Sequence, residues 1–198
     1  MLAITAAVNQ TGAVDPLEEL VWKHFPGVFA ANEPEQKAPA HLALGRTTSN
    51  LTLLKPIAAT TSPLRAHVSG KRYVMEPNED QVTAITVTFV RDRCVFNLVD
   101  ATGSHSVVCG IGRWIEGDTT LPGSKLHHEY RPDVMRVVAG GRWVDPKTLE
   151  MTWQFVETAF RDTATCRFDV NTMTFDRSVN INSAALTRPT LFGRIPTS

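Results

Sequence analysis

Glu157 is the side chain best placed to do chemistry in this 198-residue chain. Leu149, Met151, Trp153 and Phe155 alternate with Glu150, Thr152 and Gln154, so the first four share one face of a strand. Carrying that phase two residues further points Glu157 to the same apolar side, near a strand end. A carboxylate there needs a partner, because an unpaired buried charge is strongly unfavourable. Arg113, in Gly112-Arg-Trp-Ile115, is the candidate partner. The pair reads either as a structural ion pair or as a ligand-orienting pair beside Trp153.

Other reactive residue types are thinly spread. His127-His128-Glu129 looks like the start of a metal motif, but no further histidine follows at the spacing a helix would need. The stretch from Pro122 to Pro132 is polar and carries turn formers, so it reads as a solvated loop without metal. A cysteine nucleophile would need a histidine base, and only His105 is close in sequence to Cys109. Cys94 and Cys166 fall at buried phases and Cys109 sits beside a glycine turn, so the three read as small core residues. Trp143, Trp153, Phe155, Phe168 and Phe175 read as packed core rather than as a ligand cage.

These residues have to be positioned by strands. Beyond Pro63 the period-two pattern recurs: Ile85, Val87 and Phe89, then Cys94, Phe96 and Leu98 across the Arg91-Asp-Arg93 corner. Ala164, Cys166 and Phe168 follow, then Met173, Phe175 and Val179 across a turn at Asp169–Thr172. Short alternating segments with tight connections predict antiparallel meander strands with one buried face. The expected fold is mainly β, an antiparallel barrel (lipocalin-like) or sandwich of about eight or nine strands over 63–198.

The first thirty residues have a different character. Met1–Asn9 is a short apolar run closed by Asn9-Gln-Thr-Gly12, which reads as a buried strand. Asp15-Pro16 starts a helix expected over 14–26, with Glu18 and Glu19 in its first turn. Leu17, Leu20, Val21 and His24 share one face, which one strand and one helix cannot cover between them. Residues 31–62 form a linker or strap: Ala30 to Pro39 has linker composition, Ala40–Gly45 can form a helical turn or two, and Leu51 to Ile57 suggests an extended strap.

Ala3–Asn9 followed by Leu20-Val-Trp-Lys-His-Phe-Pro26 resembles the C-terminal strand and helix of β-lactamase-related (penicillin-recognising) serine hydrolases. The rest of the chain resembles the extra all-β domain that follows that helix in one branch of the family. The matching stretches are Ser62–Tyr73, Glu76-Pro-Asn-Glu79, Cys109–Gly117, Phe155-Val-Glu-Thr158 and Arg188–Arg194. The resemblance implies that residues 1–30 are the remnant of a hydrolase domain and that the β-domain is an accessory to it. The family's chemistry needs a Ser-x-x-Lys motif, a Tyr-x-Asn or Ser-x-Asn relay and a Lys-Thr-Gly-like strand. Ser62-Pro-Leu-Arg65 is the nearest approach to the first, Lys147-Thr-Leu149 lacks the glycine of the third, and Ser178-Val-Asn180 stands without partners. No catalytic residue carries over. The expected function is therefore a non-catalytic C-terminal domain that shapes access to a hydrolase active site or its assembly. The alternative is a stand-alone lipocalin-like binder of a small apolar ligand.

Charge excludes some classes. Lys+Arg and Asp+Glu both number 20, so no net field draws nucleic acid or an anionic membrane. No run of 18 apolar residues exists. Three widely spaced cysteines form neither a disulfide framework nor a metal clamp, which fits a reducing cytoplasm. No cofactor is called for. The expected partner is a second copy or a separately encoded hydrolase domain, held through residues 1–29.

Overall fold

A computed structural model describes residues 15–24, 39–49, 54–128 and 132–196. Contacts divide the chain between Pro56 and Ile57. In the first unit, helix α1 (Asp15–His24) begins at the predicted Asp-Pro pair and ends with Lys23 and His24, where positive charge suits the helix dipole. Leu20 and Trp22 on it are exposed. Helix α2 (Pro39–Ser49) is longer than the turn or two expected from Ala40–Gly45. The expected strand at 1–9 and residues 31–38 and 50–53 of the expected linker or strap lie outside the described residues.

The second unit holds a short helix α3 (Arg65–Val68) and ten strands. These are β1 (Arg72–Met75), β2 (Ala84–Val90), β3 (Arg93–Asp100), β4 (Gly103–Ile111) and β5 (Ile115–Thr119). The rest are β6 (Met135–Asp145), β7 (Thr148–Phe155), β8 (Arg161–Phe168), β9 (Thr172–Val179) and β10 (Leu191–Arg194). Two antiparallel meanders, β1 to β4 and β5 to β10, join where β10 pairs with β1. A parallel contact of β4 with β6, Gly110 opposite Gly140 and Ile111 opposite Gly141, closes the ring. The result is a closed nine-stranded barrel, with β5 as an extra strand on β6.

The predicted alternation builds the interior. Leu149, Met151, Trp153 and Phe155 of β7 are all buried, as are Ala164, Cys166 and Phe168 of β8 and Cys94, Phe96 and Leu98 of β3. Aromatic rings interlock across the core: Phe96 lies 5.2 Å from Trp153 and 5.1 Å from Phe175, and Tyr73 lies 5.9 Å from Phe168. The three cysteines are free and buried. Burial pushes the Cys109 thiol up to about 12, against the opposing contact of the Trp153 side chain, and Cys94 and Cys166 also rise. Thiols held protonated in this way are poor nucleophiles.

The barrel unit starts six residues earlier than Pro63. The strap packs on the β4–β6 seam, where a Cβ on Gly140 would strike Ile57 and would lie 2.7 Å from the Arg113 carbonyl. Thr60 Oγ1 accepts a 2.7 Å bond from the Trp143 N–H. Ser62 donates to the Pro146 carbonyl and accepts from the Leu64 N–H at 3.0 Å, so it ties the approach to α3 to the β6–β7 turn. Val68 of α3 is fully buried, Arg65 donates to the Arg91 carbonyl, and His67 bonds the Val170 carbonyl at 2.9 Å. The strap and helix thus close one end of the barrel.

At the opposite end lie the loop 76–83, the turn 101–102, the segments 120–128 and 132–134, the turn 156–160 and the loop 180–190. This end is the mouth. Here the inward placement of Glu157 is corrected. β7 ends at Phe155, and the chain turns so that Thr158 Oγ1 donates to the Phe155 carbonyl at 3.0 Å and accepts from the Phe160 N–H at 3.1 Å. Glu157 takes a φ of +62° in that turn and is exposed. The alternation stops before it reaches residue 157.

Candidate functional site

Three polar networks meet at the mouth, two anchored on strand ends and one between two loops. In the first, Asp162 of β8 and Arg177 of β9 occupy inward positions of their strands. Such charges belong in a core only when paired. Arg177 reaches Asp162 Oδ2 through Nε and Nη2, both at 2.7 Å, and its Nη1 donates to the Pro122 carbonyl at 2.8 Å. His127 donates from Nε2 to Asp162 Oδ1 at 2.7 Å, with both side chains fully buried. The imidazole stacks on Phe160 at 4.4 Å and meets Phe155 edge-on at 4.6 Å. A Cβ on Gly123 would lie 2.5 Å from that ring, so the close approach of loop and imidazole requires glycine there. The expected solvated loop around His127 is therefore corrected: the loop is tethered inward by a buried imidazole.

The second network ties the β3–β4 turn to the end of β5. Asp100 Oδ1 accepts from the Thr102 N–H and hydroxyl, both at 2.7 Å, and from the Gly103 N–H at 3.2 Å. His105, buried on β4, sets Nε2 3.2 Å from Asp100 Oδ1 and 2.9 Å from Thr102 Oγ1, and sets Nδ1 2.9 Å from Thr120 Oγ1. Burial works to raise the Asp100 carboxyl, but the Thr102 bonds and His105 outweigh it and hold it below the usual carboxylate range. The carboxylate accepts, so Nε2 carries the proton and Nδ1 accepts from the Thr120 hydroxyl.

In the third network Arg188 grips Asp80, Nε at 3.0 Å from Oδ2 and Nη2 at 2.5 Å from Oδ1, with Glu79 3.5 Å away.

Between these networks opens a pocket of about 680 Å³, lined among others by Glu79, Asp80, Thr102, His105, Thr120 and Lys125. It is flanked by a niche of about 30 Å³ between Leu98, Phe175, Arg177 and Arg188, room for about one water. Large side chains, among them Trp153, Phe96, Phe155 and Phe168, occupy the barrel interior.

The structure separates the predicted site residues. Trp153 is fully buried in the core with the Arg177 guanidinium 5.6 Å over its ring. Glu157 lies on the mouth turn. Arg113 lies in the β4–β5 connection at the far end, where it pairs with Asp92 at 2.8 Å in a half-exposed bridge. The expected Glu157–Arg113 pair therefore does not form. The inward cation and anion are instead Arg177 and Asp162, whose phase was visible: Arg177 falls between Phe175 and Val179, and Asp162 two residues before Ala164.

Among the described residues no three His, Cys, Asp or Glu side chains cluster to hold a metal ion. His127 and His128 bond different partners, the second setting Nδ1 3.0 Å from Ser183 Oγ. Ser178 pairs with Thr163 in the β8–β9 ladder. No described helix is long and apolar enough to cross a membrane. No family model matches the chain, and no curated protein matches it significantly.

Proposed function

We propose that this chain is a non-catalytic accessory domain that acts through its outer surface and mouth, not through a chamber inside the barrel. The observation that carries this reading is the packed interior: Phe96, Leu149, Met151, Trp153, Phe155 and Phe168 are all buried, and Phe96 meets Trp153 at 5.2 Å and Phe175 at 5.1 Å across it. That packing weighs against the alternative of a lipocalin-like binder of an apolar ligand, which needs an empty core. The link to a β-lactamase-like serine hydrolase rests on the resemblance of residues 1–30 and of the stretches in the β-domain. On it, residues 1–29 complete a hydrolase domain or pair two copies, and the barrel shapes access to the active site. The Ser-x-x-Lys chemistry is supplied by that other domain.

The test is turnover. The chain should neither hydrolyse nitrocefin nor form an adduct with labelled penicillin on any serine. Turnover abolished by one serine substitution would overturn the reading. In light scattering, deletion of residues 1–30 should leave the barrel folded and abolish any dimer.

A further inference from the structure

The Asp100–His105–Thr120 network was not legible as a unit in the sequence, and its geometry is that of an activated hydroxyl. A nucleophile, a base within hydrogen-bond reach of it, and a third group orienting the base are the parts such activation needs. Here Thr120 Oγ1 is 2.9 Å from His105 Nδ1, and the other ring nitrogen faces the Asp100 carboxylate at 3.2 Å. His105 is buried, which fixes its ring, whereas Thr120 is exposed. Thr102, His105 and Thr120 all line the 680 Å³ pocket, so a substrate can reach the hydroxyl. From this arrangement we propose that Thr120 is a nucleophilic hydroxyl that takes an acyl group from an activated ester seated in the mouth.

The step balances without a further reactant. Thr120 Oγ1 bonds to the acyl carbon, and the bond from that carbon to the leaving oxygen breaks. The hydroxyl proton passes to His105 Nδ1 and from there to the leaving oxygen. Asp100 keeps the Nε2 proton in place and serves as a positioning residue. Glu79, Asp80 and Asp133, set against Lys125 and the Arg188 that grips Asp80, leave the pocket wall slightly negative, so an anionic acyl group is disfavoured. The backbone N–H groups nearest the relay are already engaged: Leu121 with Thr119 Oγ1, and Thr102 and Gly103 with Asp100. An oxyanion therefore finds few ready donors in either half-reaction, so acylation relies on the good leaving group of an activated ester, and the less reactive threonyl ester persists. This goes beyond the accessory reading and does not depend on it, because the test follows a threonine adduct instead of β-lactam hydrolysis.

The experiment incubates the full chain with p-nitrophenyl acetate and maps the acetyl group by peptide mass spectrometry. One acetyl on Thr120 and a single burst of p-nitrophenolate are expected, with both lost in Thr120→Val. Loss of the base in His105→Gly should slow the burst by about 10²- to 10⁴-fold, and added imidazole should restore part of the Thr120 acetylation read by mass spectrometry, which a merely structural role would not allow. If His105→Gly does not fold, Thr102→Val decides together with Thr120→Val, since it keeps the base and should still label Thr120. Acetylation confined to Lys125 or other lysines, or a burst unchanged in Thr120→Val, would overturn the proposal.

Discussion

His127 Nε2 lies 2.7 Å from Asp162 Oδ1, and solvent reaches neither side chain. The contact pins the segment 120–128 to strand β8, and the same carboxylate anchors Arg177 of β9. One anion thus organises three separate segments of the mouth. Asp162→Asn leaves the Arg177 guanidinium buried without its counter-charge, which should cost about 3–5 kcal/mol, read as a lower urea midpoint. Asp169→Asn, which breaks the exposed bridge to Lys147, should move the midpoint far less. Equal shifts would mean that the mouth network contributes no more than a surface pair.

Core packing gives a second contrast on one strand. Trp153 is fully buried and lies 5.2 Å from Phe96, whereas Thr152 faces the other way and is only half-buried. Trp153→Ala should destabilise by about 3–5 kcal/mol, and Thr152→Ala by much less. Similar denaturation midpoints for the two variants would contradict the strand phase.

Tyr73 reports on a polar atom inside that core. Its hydroxyl is buried with no hydrogen-bond partner among the described residues, and burial pushes its pKa up to about 12. Removing an unsatisfied polar group while keeping the ring should be neutral or stabilising. Tyr73→Phe should therefore hold or raise the thermal midpoint. A clear drop would show that the hydroxyl has a partner.

Asp100 sets a pH dependence. Its folded-state pKa lies below the ordinary 3.8, so its contribution is fully present above that value and is lost as pH falls through the lower, folded one. Stability measured against pH should show an acid limb below about pH 4. Asp100→Asn should flatten that limb while leaving its position relative to other carboxylates unchanged. An unaltered limb in the variant would place the acid sensitivity elsewhere.

How far the sequence could be read follows from these residues. The strands of the barrel were legible because Leu149 to Phe155 and Cys94 to Leu98 alternate without interruption, and burial follows the pattern. Asp162 and Arg177 share that inward phase, but a polar residue in a buried register is recognisable only once its partner is known, and the two meet across neighbouring strands. His127 has no periodicity to report its burial, since a loop residue is placed by Gly123 and Phe160 around it. Glu157 misleads for the opposite reason: the alternation points inward, but a turn with positive φ ends the strand first. The parallel β4–β6 seam joins residues thirty positions apart through glycines, and no local pattern signals it.

The reading frame immediately upstream of Met1 bears most directly on the proposed role. An accessory domain of the proposed kind predicts, in the same frame or in an adjoining gene, a Ser-x-x-Lys motif and a Tyr-x-Asn or Ser-x-Asn relay. The domain that carries them should lack its own last strand and helix, which residues 1–29 supply. An upstream domain that is complete without this segment, or one with unrelated motifs, would contradict the assignment of this barrel to a serine hydrolase.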